Sequence, residues 1–256
     1  MTGVRVIKVG GAALTDAGWV DSLAMAVAGS TTPLVVVHGG GPEITALSAK
    51  LGIDVSWSRG RRVTSPEALD VASMVLNGRV NKRLVSALAG AGVDALGVSG
   101  EDARLIEATV LDGGIAGRVG AVSAVRAELL AWMLERGVVP VISPISRGPD
   151  GSALNVNADE VAAAVAVAVG ALELVFLTDV EGVRVQGNTA PVLSASATAD
   201  LIATEQATAG MAVKLGAALD ALDRGVPAVR IGRFEVLTKE TAGTRIRRES
   251  EVLACS

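Results

Sequence analysis

Val4-Arg5-Val6-Ile7-Lys8-Val9-Gly10-Gly11 opens the chain as a short apolar run closed by paired glycines, and Leu34-Val35-Val36-Val37-His38-Gly39-Gly40-Gly41-Pro42 repeats the design. A continuous run of β-branched residues reads as a strand buried on both faces, and the glycines after it as a tight turn. Between the two runs, residues 16–28 carry helical spacing, with Thr15 or Asp16 as the cap. The alternation continues outward. Helices are predicted over 42–51, 66–89, 121–136, 159–169 and 211–223, and strands over 95–99, 138–143, 174–177 and 228–231. Residues 106–119 are less regular and read as a hairpin or edge strands. Strands and helices in alternation give a mostly parallel central sheet covered on both faces, an α/β three-layer αβα sandwich with right-handed crossovers. No low-complexity linker divides the chain, so residues 1–256 are read as one domain. Its substrate-facing half ends near 150 and its nucleotide-facing half covers about 151–256.

Composition narrows the function. With 256 residues, half of them hydrophobic and a fifth charged, the chain can bury a sizeable core. Three Trp, two Phe and no Tyr leave no stacking platform for single-stranded nucleic acid, and a net charge of −4 disfavours a general polyanion binder. The single Cys, Cys255, lies at the tail with no neighbouring base in sequence, so it is read as inert. The N-terminus lacks the order of a signal peptide, and the apolar run near 161–170 is too short to span a bilayer. Neither nucleic acid nor membrane is expected as a partner, and the expected compartment is the cytoplasm.

Six motifs carry chemistry. Lys8-Val9-Gly10-Gly11 puts a cation and free amides beyond the carboxyl end of a strand, where ligands of parallel sheets sit; alone, it reads first as a strand with a turn after it, since glycine pairs are common there. His38-Gly39-Gly40-Gly41-Pro42 exposes amides at a helix start, an anion site. His38, the only histidine, is read as structural because no partner makes it a base. Gly60-Arg61-Arg62-Val63-Thr64 offers a planar fork for a carboxylate, or with Arg59 a solvated charge cluster. In Leu154-Asn155-Val156-Asn157-Ala158-Asp159-Glu160, Asp159 either caps a helix or orients catalytic groups. Thr178-Asp179-Val180-Glu181-Gly182-Val183 follows a strand, and Gly210-Met211-Ala212-Val213-Lys214 opens a helix. There Lys214, read as lying in the first turn, opposes the helix dipole unless an anion compensates.

Taken together, in this order and over nearly the whole chain, these motifs resemble the acetylglutamate kinases of the amino acid kinase superfamily; the stretches 75–86, 117–122 and 243–246 fit as well. The resemblance implies ATP-dependent phosphorylation of the side-chain carboxylate of N-acetyl-L-glutamate, a step of arginine biosynthesis. It implies Lys8 and Lys214 on the transferring phosphoryl group, with Asp159 holding them. Gly40, Gly41, Arg62 and Asn155 would bind the substrate, and Gly10, Gly11, Asp179, Val180, Gly182, Val183, Thr208, Gly210 and Met211 the nucleotide. Mg²⁺ is expected on the ATP phosphates rather than in a protein cage. The chemistry agrees: a carboxylate is already a nucleophile at neutral pH, so no general base is needed. Phosphoryl transfer asks instead for positioning and charge neutralisation. No P-loop motif is present.

The sequence departs from the family at Arg61, where an aliphatic residue is common, and at Ala103, where a second glycine is usual. Kinases for succinylglutamate, or for aminoadipate on an acidic carrier protein, fit the same reaction class, the arginine cluster 59–62 being suited to a carrier. A non-catalytic binding protein on this fold is the alternative of another class. Arginine-inhibited members carry an extra N-terminal helix that joins dimers into hexamers. Here Met1-Thr2-Gly3 leads into the first strand. The expectation is therefore a homodimer insensitive to arginine, with Met74, Val75 and Leu76, beside Asn77 and Asn81, at its interface.

Overall fold

The computed structural model describes residues 3–10, 13–58 and 60–248; Gly11, Arg59 and Cys255 lie outside them. In chain order the strands and helices are β1 (Arg5–Val9), α1 (Ala17–Ala28), β2 (Leu34–His38), α2 (Gly41–Lys50), β3 (Trp57–Ser58), β4 (Arg61–Arg62), α3 (Pro66–Ser73), α4 (Asn81–Gly90), β5 (Ala95–Ser99), β6 (Ile106–Val110), β7 (Val119–Val125), α5 (Ala127–Glu135), β8 (Val139–Ser143), β9 (Ile145–Arg147), β10 (Ala153–Val156), α6 (Ala158–Ala168), β11 (Glu173–Leu177), β12 (Arg184–Val185), β13 (Asn188–Thr189), β14 (Val192–Ser194), α7 (Ala195–Ala203), α8 (Ala209–Asp223), β15 (Val229–Gly232) and β16 (Thr244–Arg247). Eight strands form one sheet in the order β14-β16-β15-β11-β1-β2-β8-β5, parallel throughout except where β15 meets β16. β6, β7, β9 and β10 close into a small barrel beside it.

The period-2 geometry of the strands sorts the core into two layers. Val4, Val6, Val35, Val37, Leu174 and Phe176 pack with α5, α6, α7 and α8 on one face. Ile7, Val9, Leu34, Val36, Val175 and Leu177 pack with α1, α2, α3 and α4 on the other. This is the expected αβα sandwich. Among the described residues no helix is long and apolar enough to cross a membrane.

Three local expectations change. Residues 121–125, read as the start of a helix, extend strand β7, which pairs antiparallel with β6 through a bulge at Glu107/Ala108; the β-branched Val119, Val122 and Val125 override the alanines. The long helix over 66–89 is not uniform: a π-helical stretch, Met74–Val80, joins α3 to α4. Its apolar residues do not form an outer face. Val75 and Leu76 are 1% and 2% exposed and Asn81 1%, leaving only Met74 of the three apolar residues open to solvent. Finally, α8 begins at Ala209, so Lys214 sits in its second turn, beyond the reach of the terminal dipole.

Candidate active site

Lys8 is the fourth residue of β1 and, by strand alternation, faces the same layer as Val6, toward α6. Asn157 caps α6, its side-chain oxygen accepting from the Asp159 and Glu160 amides at 2.8 and 3.4 Å. The cap is therefore Asn157, and Asp159 is left free for other partners. Its carboxylate takes the Lys8 ammonium at 2.9 Å and the Lys214 ammonium at 3.0 and 3.1 Å. Lys214 also lies 5.0 Å above the ring of Phe176, which alternation places on the same face as Lys8.

All three charged groups are nearly buried. Burial pushes the Asp159 carboxyl up, but the charges and hydrogen bonds of Lys8 and Lys214 outweigh it and hold it below its ordinary value. For Lys214, burial and the charge of Lys8 outweigh Asp159 and lower its pKa to about 8. The two directions agree once charge is counted: two cations share one anion. A buried site with an excess positive charge is stabilised by an incoming anion.

The second group surrounds a cavity of about 150 Å³ lined by Gly40, Gly41, Trp57, Arg62, Leu76 and Asn155, among others; Asn157 and Ala158 on its wall lead directly to Asp159. Arg62 is 6% exposed and stacks under Trp57, its partner across the β3–β4 hairpin, with 4.7 Å from guanidinium to ring centre. Nη2 donates to the Gly41 carbonyl and to Thr45 Oγ1, while Nη1 is buried without a partner. Among the described residues no carboxylate pairs with Arg62, and burial lowers its pKa. A buried guanidinium with no carboxylate partner and one nitrogen unsatisfied beside a cavity is the mark of an anionic ligand. Asn155 donates to Thr64 Oγ1 at 3.2 Å, and that hydroxyl donates to the Arg62 carbonyl. Gly117, at φ +74°, lets β7 approach Thr64: a Cβ there would collide with the Thr64 carbonyl.

The two glycines of the helix start differ. A Cβ on Gly40 would press on Leu76 at 2.8 Å, whereas nothing lies within 4 Å of one on Gly41. A second cavity, of about 250 Å³, is lined by Val180, Gly182, Val183, Arg184, Leu201, Thr208 and Met211, with Gln206 and Ala207. Gly182 leaves no room for a side chain, since a Cβ there would lie 2.6 Å from Thr244 Oγ1, which accepts from the Val183 amide. Asp179 and Gly210 are exposed and do not line this cavity, although the Asp179 charge raises the Lys214 pKa. Gly10 follows the end of β1, two residues after Lys8.

Several neighbours of the site escape a reading of motifs. Trp57 and Thr45 hold Arg62; Phe176 lies beneath Lys214; Glu160 pairs with Arg61. Phe176 was visible as the residue of its strand in phase with Lys8, but the others depend on contacts distant in sequence.

The amino acid kinase family model matches residues 3–233. A protein named acetylglutamate kinase from Roseiflexus sp. (strain RS-1) is 49% identical over 96% of this chain and 94% of its own. Another of that name, from Bacillus subtilis (strain 168), is 42% identical over 86% of this chain and 87% of its own. The crystal structure of smu.665 from Streptococcus mutans UA159 superposes with a TM-score of 0.85 at 30% identity, covering 97% of this chain and all of that one. Fold, motif order and these likenesses agree: the chain belongs to the amino acid kinase family.

Proposed function

We propose that Lys8, Lys214 and Asp159 form the phosphoryl-transfer centre of this chain and that Arg62 and Asn155 hold its substrate. The reaction is the ATP-dependent phosphorylation of N-acetyl-L-glutamate, as the relatives named acetylglutamate kinase indicate. The observation that carries the site assignment is the surplus of buried cations: two lysines on one carboxylate, beside a cavity holding an unpaired arginine.

In this reading the apolar second cavity takes the adenine, between Val183 and Met211. The triphosphate runs toward Gly10, and the γ-phosphate meets Lys8 and Lys214. Mg²⁺ enters on the ATP phosphates and supplies charge neutralisation there; among the described residues no cluster of carboxylates, His or Cys forms a cage for it. Arg62 pairs with a substrate carboxylate through its free Nη1, and Asn155 and the Gly40–Gly41 amides fix the rest of the molecule. The side-chain carboxylate attacks the γ-phosphorus, the bond to the β–γ bridging oxygen breaks, and ADP leaves with that electron pair. Lys8 and Lys214 neutralise the equatorial oxygens, and Asp159 keeps both ammonium groups aimed. The nucleotide is then held mainly by residues 151–256 and the substrate mainly by residues 1–150, with Asn155 crossing over.

A cytoplasmic homodimer completes the proposal. The unpaired edge of β5, with Leu96 exposed, supports an interface there, and closed two-fold assemblies are the commonest. Coupled ADP release with N-acetylglutamate, against succinylglutamate and carrier-bound aminoadipate, tests the substrate; light scattering tests the dimer. ADP release that ignores N-acetylglutamate would sink the assignment.

A further inference from the structure

His38 ends β2 with no exposed surface, and alternation turns it to the face of α3 and α4. There it meets Asn81, the first residue of α4, whose Nδ2 lies 3.1 Å from His38 Nε2 and 2.9 Å from the Val141 carbonyl. A carbonyl only accepts, so the Asn81 amide must turn its NH₂ toward Val141 and, with it, toward His38. The opposite end agrees: Asn81 Oδ1 faces the Lys82 ammonium at 3.3 Å, a group that only donates. His38 Nε2 therefore accepts, its proton sits on Nδ1, and Nδ1 donates to the Gly39 carbonyl at 3.1 Å.

The Gly39 carbonyl and the Gly40 N–H belong to one planar trans peptide and point in opposite directions. With the carbonyl drawn to the imidazole, the Gly40 N–H is turned away from it, and Gly39, Gly40 and Gly41 all line the substrate cavity. We propose that His38, held in its Nδ1–H tautomer by Asn81 and Val141, is a positioning residue that aims the Gly40 amide at the reacting carboxylate or phosphoryl group. The inference rests on the reading of this glycine turn as part of the kinase site.

Two further features converge on the same lock. The π-helical turn ahead of α4 brings Asn77 to Ser143 and Asn81 to Val141, both partners lying on β8. Gly97 on β5 makes room for the amide, since a Cβ there would collide with Asn81 Oδ1. Burial, with smaller contributions from Arg83 and Lys8, lowers the His38 pKa to about 4 against the opposing Gly39 bond, so the ring stays neutral at working pH.

His38 is the only histidine in the sequence, so ¹⁵N-histidine labelling of the whole chain gives one imidazole. Long-range ¹H–¹⁵N correlation at pH 7 should show Nδ1 protonated and Nε2 bare; a proton on Nε2, or on both nitrogens, overturns the inference. In kinetics, Asn81→Leu and His38→Leu should each lower kcat by about 10- to 100-fold, the low end of losing an oriented donor, with KM for ATP little changed. His38→Asn, whose amide can replace the Nδ1–H donor, should recover most of that loss. Gly97→Ala reaches the lock from outside the site, on an edge strand, and should lower kcat at least about fivefold, a small fraction of a lost donor's effect. Folded Asn81→Leu and Gly97→Ala proteins with wild-type kcat would overturn the proposal. If the wild-type chain itself does not phosphorylate N-acetylglutamate, the kinase reading fails instead, and the tautomer measurement still decides the geometry.

Discussion

Asp159→Asn removes the one anion that two buried ammonium groups share. Both touch Oδ1, at 2.9 and 3.0 Å, so no rearrangement of side chains restores the balance. Breaking a buried pair in this way costs about 3–5 kcal/mol. Shared between two lysines it is about 2 kcal/mol each, which at 1.36 kcal/mol per pH unit lowers an ammonium pKa by roughly 1.5. Lys214 starts at about 8 because burial and Lys8 already oppose its charge. In the variant it falls further, so that near neutral pH the ammonium becomes the minor form where in the parent it is the major one. The lost charge accounts for roughly a tenfold drop in turnover, and the loss of aim for a further ten- to hundredfold. The expected kcat is thus about 10²- to 10³-fold down in a coupled ADP-release assay. The ratio of variant to parent should improve as pH falls from 8 to 6.5, because Lys214 regains its proton. Activity within threefold of the parent, or a ratio that does not move with pH, would refute the shared-carboxylate argument.

Lys8→Ala and Lys214→Ala should each lose on the order of a hundredfold or more in kcat while remaining folded by circular dichroism. Arg62→Lys should raise KM for N-acetylglutamate by about tenfold or more and leave that for ATP nearly unchanged, since lysine reproduces neither the fork nor the stack on Trp57; equal effects on both would remove Arg62 from the substrate. The pH profile of the parent follows from the same groups. The working form of Lys214 is the ammonium, which is lost as pH rises through about 8, so kcat/KM for ATP should fall above that pH. On the acid side Asp159 stays ionised below its ordinary value, so no fall from that group is expected down to about pH 4.

Six of the eight strands of the large sheet were legible as short apolar runs, whereas β14 and β16, three or four residues long and carrying Ser194, Thr244, Arg245 and Arg247, gave no such signal. Lys8 could be placed by period alone, since it alternates with Ile7 and Val9, and the structure finds it among the groups facing α6. The reading of Asp159 stayed open until Asn157 proved to be the cap, because Asn and Asp are equally good at that position. The strand 121–125 was misread, since its alanines carry helical propensity while its pairing with β6 is visible only in three dimensions. Val75 and Leu76, expected at an interface between subunits, face the chain's own core instead, and the π-helical stretch that carries them leads into α4, where Asn81 meets His38. Arg61 and Arg62 are adjacent, alike in sequence and both on the cavity wall, yet Arg61 pairs with Glu160 while Arg62 keeps a buried Nη1 without a partner. Only the β3–β4 hairpin distinguishes them.

The central claim is that phosphate reaches a carboxylate. An acyl phosphate reacts with hydroxylamine to give a hydroxamate, whereas ATP hydrolysis alone gives none. The chain incubated with ATP, Mg²⁺, N-acetyl-L-glutamate and hydroxylamine should form hydroxamate in step with ADP, and neither should appear in step when N-acetylglutamate is left out. ADP release without hydroxamate would contradict the account.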